Sequence, residues 1–273
     1  MKQTLSVTIL GSGCSTGVPR ADGYWGACDP QNPKNRRSRC SAWFALKDNE
    51  SNGQKGGGIT SVLVDTSSDF RQQAIAAAIP HLDAVLWTHD HADQVGGIDD
   101  IRAFTFAHGP IDGYGDEATL STLSSRYSYV FSGNLGYPPI CRQHHIPPHG
   151  RTWAIEGQGG ALPVLTFDQI HGPIKSVGYR LGDIAYSSDI SAMPEESFAA
   201  LDGLKLWIVD AMRYKPHTTH SHLEQTLDWI ARVKPDHAVI TNLHQDIDYE
   251  AVKAFLPPNV EPAFDQLSFA FDL

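Results

Sequence analysis

The segment Thr88-His89-Asp90-His91-Ala92-Asp93-Gln94 follows directly on an apolar run at 84–87. In an extended or tightly turned backbone, residues two apart point to the same side. The imidazoles of His89 and His91 can therefore meet one cation while Asp93 reaches a neighbouring one. Four more apolar runs end on a residue able to bind metal or move a proton: Val64 on Asp65, Ser188 on Asp189, Val209 on Asp210 and Leu243 on His244. One Asp after a strand is ordinarily a turn or cap residue. Five such exits together are better explained by strands that deliver polar groups to one shared site.

The elements that must deliver them read as short runs rich in Val, Ile and aromatics, bounded by Gly, Pro, Asp or Asn. Strands are expected at 5–10, 42–46, 61–64, 84–87, 163–167, 176–181, 184–186, 206–209 and 238–240. Helices are expected at 70–78, 97–106, 117–131, 195–201, 223–233 and 249–255. Early hairpins followed by mixed strand and helix imply two sheets covered by helices. The polar, glycine-rich stretch 48–58 reads as a hairpin loop, and 133–160, rich in Pro, Gly and His, as an irregular excursion near the site. With 273 residues, no internal repeat and no sharp break in composition, the chain reads as one domain over 1–273.

Composition narrows the function. Acidic side chains number 31 against 21 basic ones, a formal charge of -10, which argues against a nucleic-acid coat or a protein held on anionic lipid. The 13 His far outnumber the 4 scattered Cys, so imidazole chemistry is the first suspicion. The opening ten residues alternate as a strand and lack the pattern of a signal peptide. No apolar stretch approaches the roughly 18 residues of a membrane-spanning helix, and a soluble cytoplasmic protein is expected.

The segment 88–94 resembles the His-x-His-x-Asp-His signature of the metallo-beta-lactamase superfamily, followed by the Gly96-Gly97-Ile98 that opens its next helix. Ile170-His171-Gly172 resembles the family's third metal motif, Tyr186-Ser187-Ser188-Asp189 the strand ending in its bridging aspartate, and Thr241-Asn242-Leu243-His244 its last histidine motif. The resemblance implies an α+β four-layer αββα sandwich over nearly the whole chain. Leu10-Gly11-Ser12-Gly13 and the stretch 35–41 look most like the branch of phosphoribosyl cyclic phosphodiesterase and tRNase Z.

That branch implies a phosphodiesterase with two divalent ions, Zn or Mn, acting on a small cyclic or nucleotide-like phosphodiester. Position by position, His89, His91 and His171 would hold the first ion, Asp93 and His244 the second, and Asp189 would bridge them. His220, similar to the branch's histidine ahead of the late helix, would protonate the leaving alkoxide. Asp65 and Asp210 are expected to orient imidazoles or cap loops rather than bind metal. His144 or His145 are the substitutes should His171 be a turn histidine. A homodimer is an expectation that comes from the resemblance alone.

Two departures bear on the site. Gln94 stands where the family has histidine, and an amide oxygen binds a borderline ion less firmly than imidazole does. The second site is therefore expected to be weak, to favour a harder ion or to recruit His222. The branch's cysteine zinc cluster near the N-terminus is unmatched, so no structural zinc is expected. The run 34–39 (KNRRSR) holds four cations in six residues, and Arg39 is its candidate for docking a phosphate. Competing readings are a thioester or lactone hydrolase, a non-catalytic metal or nucleotide binder, and a serine hydrolase. The last rests on Gly13-Cys14-Ser15-Thr16-Gly17, a weak case because Val18-Pro19 rather than a helix pattern follows Ser15.

Overall fold

A computed structural model describes residues 3–49, 58–133 and 136–273. Strands β1 (Gln3–Gly11), β2 (Ser41–Asp48), β3 (Ile59–Val64), β4 (Ala84–Leu86), β5 (Ile111–Gly115) and β6 (Cys141–His145) belong to one sheet. Strands β7 (Trp153–Ile155), β8 (Leu162–His171), β9 (Ile174–Leu181), β10 (Ile184–Ser187), β11 (Leu206–Asp210), β12 (His237–Thr241) and β13 (Val260–Pro262) form the other. The chain then returns as β14 (Leu267–Asp272) to the edge of the first sheet, giving the orders β14-β1-β2-β3-β4-β5-β6 and β13-β12-β11-β10-β9-β8-β7.

Alternation along each strand builds the layers. Leu206 and Ile208 face inward with Leu5, Val7, Phe44, Val62 and Leu86, forming the core between the sheets. Trp207 and Val209 face outward against Leu223, Ile230 and Val252 of the late helices. Strand β11 is thus apolar at successive positions because both of its faces are covered. Leu63, Val85 and Trp87 pack in the same way on Phe70, Ile98, Ile101 and Leu123 of the helices over the first sheet. These are the four layers expected.

In each half the early strands pair antiparallel, and the later ones, β3 to β6 and β10 to β13, pair parallel. Parallel strands leave their carboxyl ends on one edge, where loops gather polar groups. Hydrogen bonds tie the halves together there: Val177 N–H donates to the Thr88 carbonyl at 2.9 Å, the buried Tyr179 hydroxyl donates to the Trp87 carbonyl at 2.9 Å, and Leu243 N–H donates to the Ser12 carbonyl at 2.9 Å.

The nine expected strands and six expected helical stretches are present, though 195–201 is a 3-10 helix, 97–106 divides into the 3-10 helix Ile98–Ile101 and the α-helix Arg102–His108, and 117–131 is split into Glu117–Arg126 and Ser128–Ser132. Strands β5, β6, β7, β13 and β14 were not expected. The reading of 133–160 is corrected: it holds the last strand of the first sheet and the outermost strand of the second, so it carries the chain from one sheet to the other. His144 and His145 lie on β6, where His144 Nε2 bonds Asp112 at 2.9 Å. Most of the expected loop 48–58 lies outside the described residues.

Candidate metal centre and active site

Carboxyl ends of β3, β4, β8, β10, β11 and β12 supply the site. Asp65, Asp189 and Asn242 each follow a strand with φ of 61°, 55° and 62°. This is the left-handed region, which Asp and Asn tolerate better than other side chains with a Cβ. The left-handed residue turns the chain sharply off the strand, as loop-borne sites require.

His89, His91 and His171 each offer a ring nitrogen, and these atoms lie within 4.8 Å of one another. Hydrogen bonds assign the free nitrogen of two of them. The Thr88 hydroxyl donates to Asp65 Oδ2 at 2.9 Å, so its oxygen accepts from His89 Nδ1–H at 3.0 Å and leaves the Nε2 lone pair free. That Nε2 is buried with no hydrogen-bond partner. His171 Nδ1–H donates to the Thr219 carbonyl at 2.6 Å, which directs its Nε2 toward His91 Nδ1 at 3.3 Å and Asp189 Oδ1 at 3.9 Å. Gly172 permits this contact: its φ is +60°, and a Cβ there would meet Thr219 Cγ2 at 2.5 Å. Burial, with the neighbouring imidazoles, lowers the His89 pKa to about 3, and burial lowers that of His171, so both rings are neutral and able to ligate.

An orphaned, buried, neutral ring nitrogen facing two others fits a divalent cation. His171, Asp189 and His220 form a second group of donor atoms within the same limit of one another. His89, His91 and His171 would hold an ion, and Asp93, Asp189 and His244 line the same cleft. When bound, divalent ions at such a centre act as Lewis acids that offset charge on an oxygen and acidify water.

Gln94 takes a different role from the doubtful ligand considered above. Its Nε2 donates to Asp93 Oδ2 at 3.1 Å and to Asp189 Oδ2 at 3.2 Å, while its Oε1 is buried without a partner. The amide holds two carboxylates side by side. Burial, and then Asp189, raise the Asp93 pKa.

His220 donates Nδ1–H to the buried Asp210 Oδ2 at 2.8 Å, and its Nε2 lies 3.9 Å from Asp189 Oδ1. Burial works to lower its pKa, but Asp210, aided by Asp189 and Asp93, outweighs burial and raises it to about 9. Burial raises Asp210 to about 6 against the pull of His220. Near neutral pH the pair is carboxylate and imidazolium. Asp210 thus bonds the His220 imidazole directly, whereas Asp65 reaches His89 only through Thr88.

These side chains open on one cleft of about 410 Å³, lined by His91, Asp93, His171, Asp189, His220 and His244, with the rim formed by Ser15, Thr16, Arg213 and His217. Two expected residues are not brought there. His222 stands at the start of the helix Leu223–Val233 and is not part of the cleft lining. Arg39 is bound to both oxygens of Asp69 at 3.0 Å and lines a separate cavity.

The rest of 34–39 is also engaged: Lys34 on the rings of Tyr249 and Phe264, Arg36 over Trp25, and buried Arg37 donating to the Ile247 carbonyl at 2.8 Å. These contacts hold the loop down, and Arg39 lies outside the cleft that gathers the histidines. Ser15 is on the rim, but no helix follows it. Arg213 is the rim residue the sequence reading passed over. Its signal was the absence of any acidic residue from 211 to 223 in an otherwise acidic chain.

The geometry and the comparisons agree on the class. The chain belongs to the metallo-beta-lactamase superfamily: the family model described as beta-lactamase superfamily domain matches residues 60–242. It is similar to the crystal structure of a diphosphatase from the PhnP family, at 30% identity and a TM-score of 0.84, covering 100% of this chain and 99% of that one. Zn2+-bound PqqB from Methylobacterium extorquens shares the fold at 18% identity, TM-score 0.70, with 97% and 99% covered. An octanoyltransferase of Porphyromonas gingivalis (strain ATCC BAA-308 / W83) is 31% identical over 97% of this chain, which spans 51% of that protein's length.

Proposed function

We propose that the protein is a divalent-metal-dependent phosphodiesterase that hydrolyses a small anionic phosphodiester or diphosphate ester. Family membership and the histidine cluster support a metal-dependent hydrolase. The narrower reading is carried by one observation: a cleft of about 410 Å³ gathers imidazoles, the carboxylates of Asp93 and Asp189 and the Arg213 guanidinium, with few apolar side chains beyond Pro173, Ile174 and Met212. A cleft this size suits a nucleotide-sized ligand. Its cations and metals supply the positive charge that a protein of net charge -10 otherwise lacks.

His220, as imidazolium, is placed to give its Nε2 proton to a leaving alkoxide, and Asp210 keeps it charged and aimed. The centre takes two ions, Zn or Mn, the second more weakly because Gln94 offers its amide N–H groups where an imidazole would ligate. Four free cysteines fit a reducing, cytoplasmic setting. Among the described residues, no helix is long and apolar enough to cross a membrane.

The similarity to the octanoyltransferase favours a second reading, hydrolysis of an acyl thioester. That protein is about twice as long, and the cleft here has no long apolar wall to receive an acyl chain. The test is a panel of bis-p-nitrophenyl phosphate, p-nitrophenyl esters and acyl thioesters, with Mn, Zn, Ni or Co supplied. The expected result is metal-dependent cleavage of the phosphodiester, lost on His89→Ala or Asp189→Ala. No phosphodiester turnover with any of these ions would overturn the reading, and turnover confined to thioesters would favour the second.

A further inference from the structure

The chain leaves β11 at Asp210 and returns to the late helix at Leu223. Residues 212–213 are pinned to 221–223: Met212 N–H donates to the Ser221 carbonyl at 3.1 Å, and Leu223 N–H to the Arg213 carbonyl at 2.9 Å. Between these clamps the segment 213–220, RYKPHTTH, forms one wall of the cleft. It carries Arg213, Lys215, His217 and His220 and no acidic residue.

Arg213 is half-buried in this wall. Among the described residues its guanidinium makes no hydrogen bond and no ion pair, and its Nε is buried with no partner. Other half-buried or buried arginines are bonded: Arg37 to backbone carbonyls, Arg39 to Asp69, and Arg180 to the carbonyls of Gly182, Ala200 and Asp202. A buried N–H without an acceptor costs stability that solvent does not return. On the same wall, His217 accepts at Nδ1 from the Thr219 hydroxyl and backbone, which leaves its Nε2–H as a donor. Arg213, His217, His220 and His244 all line the same cleft, which places the guanidinium among these rings.

We propose that Arg213, with His217 beside it, is an anion subsite that holds a second phosphate of the substrate, one that is not cleaved. Resting on the phosphodiesterase reading, this narrows the substrate to a diester carrying two adjacent negative charges, as in a diphosphate linkage, rather than a singly charged diester. An arginine fork is suited to this because it bonds two phosphate oxygens at once, while the metal side of the cleft is left to the reacting phosphoryl group.

The test uses metal-loaded protein with two substrates, bis-p-nitrophenyl phosphate and diadenosine diphosphate, and with inorganic pyrophosphate as a binding probe. Arg213→Gln is expected to lower kcat/KM for the diphosphate at least tenfold more than for the singly charged diester, chiefly through KM. It is also expected to weaken pyrophosphate binding by calorimetry about tenfold or more, at unchanged metal content. Arg213→Lys should recover part of both losses. Equal losses on the two substrates, or pyrophosphate binding unaltered in Arg213→Gln, would overturn the proposal. The binding arm needs no turnover: if neither phosphate substrate is cleaved but pyrophosphate binding still depends on Arg213, the phosphodiesterase reading fails and the subsite stands.

Discussion

His220 and Asp210 form a buried pair in which the imidazole Nδ1–H meets the carboxylate at 2.8 Å. The two sit at opposite ends of the segment that walls the cleft, and each lies where burial alone would discharge it. Together they stay charged, because the ion pair outweighs the burial that would lower His220 and its pKa rises to about 9 from the ordinary 6.5. As a proton donor His220 is competent below about 9 and is lost as pH rises through that value. Cleavage of a diester with a poor, alkyl leaving group should therefore show a descending alkaline limb near 9. Asp210→Asn removes the charge that raises His220 and leaves burial to lower it, so the limb should move at least a unit to lower pH. A kcat/KM profile checks both. Nitrophenyl leaving groups, which need no proton, should respond far less.

Asp65 acts on the metal centre through Thr88. Its Oδ2 accepts the Thr88 hydroxyl proton, and that fixes His89 as the Nδ1–H tautomer with Nε2 free to ligate. In Asp65→Asn the left-handed backbone is still tolerated, but an amide placed at Oδ2 would donate to the hydroxyl. The hydroxyl then turns its proton on His89 Nδ1 and pushes the ring hydrogen to Nε2. Metal affinity should fall about 10–100-fold with little loss of folded protein. Competition with a chelator on the purified variant, beside a thermal melt, measures both quantities.

Gln94 presents N–H groups to Asp93 and Asp189 where a second ion would compete for those oxygens. Gln94→His replaces that donor with a ligand of similar bulk. After dialysis against a mild chelator, elemental analysis should find the variant retaining close to two ions per chain and the wild type losing its more weakly held ion first. Equal retention would show that the amide does not weaken the second site.

The strands that deliver site residues were legible because they are covered on both faces. Runs such as Leu206-Trp207-Ile208-Val209 and Val239-Ile240 have no polar position to blur them, and each ends abruptly on Asp210, or a few residues on at His244. The strands that were missed lie toward the edges of the sheets. Strand β5 contains Gly113, where a Cβ would meet Trp87 and Cys141 at 2.6 and 2.4 Å, so close packing rather than β-propensity chose the residue. Strand β6 reads Cys-Arg-Gln-His-His because most of it is exposed. The site divides in the same way. The clustered histidines announce themselves by spacing, whereas the engagement of Arg39 with Asp69 and the freedom of Arg213 depend on which loops meet in space. In sequence alone the dense basic run at 34–39 outranks a lone arginine, and only tertiary contact reverses the order.

Asp265 shows that the cleft's shape is also set outside the histidine cluster. Its half-buried carboxylate lies between two loops and accepts four hydrogen bonds, from the Ser12 backbone and hydroxyl at 3.0 and 2.9 Å and from those of Ser38 at 2.8 and 2.6 Å. Ser12 leads into the rim residues Cys14, Ser15 and Thr16, and Ser38 precedes Arg39, whose Nε donates to the Ser15 carbonyl at 3.3 Å. Burial raises the Asp265 pKa even against these four donors, so the charge is held at a cost. Asp265→Ala removes the acceptor and leaves four donors, two of them backbone N–H groups, without a partner. A loss of about 2–4 kcal/mol in stability is expected, seen as a fall in Tm of roughly 4–12 °C. Asp265→Asn keeps one acceptor oxygen and should lose less. Because the loosened loops carry the rim rather than the ligands, KM should rise in Asp265→Asn while metal content stays at the wild-type level. A parallel loss of metal would instead tie the two loops to the ligand cluster itself.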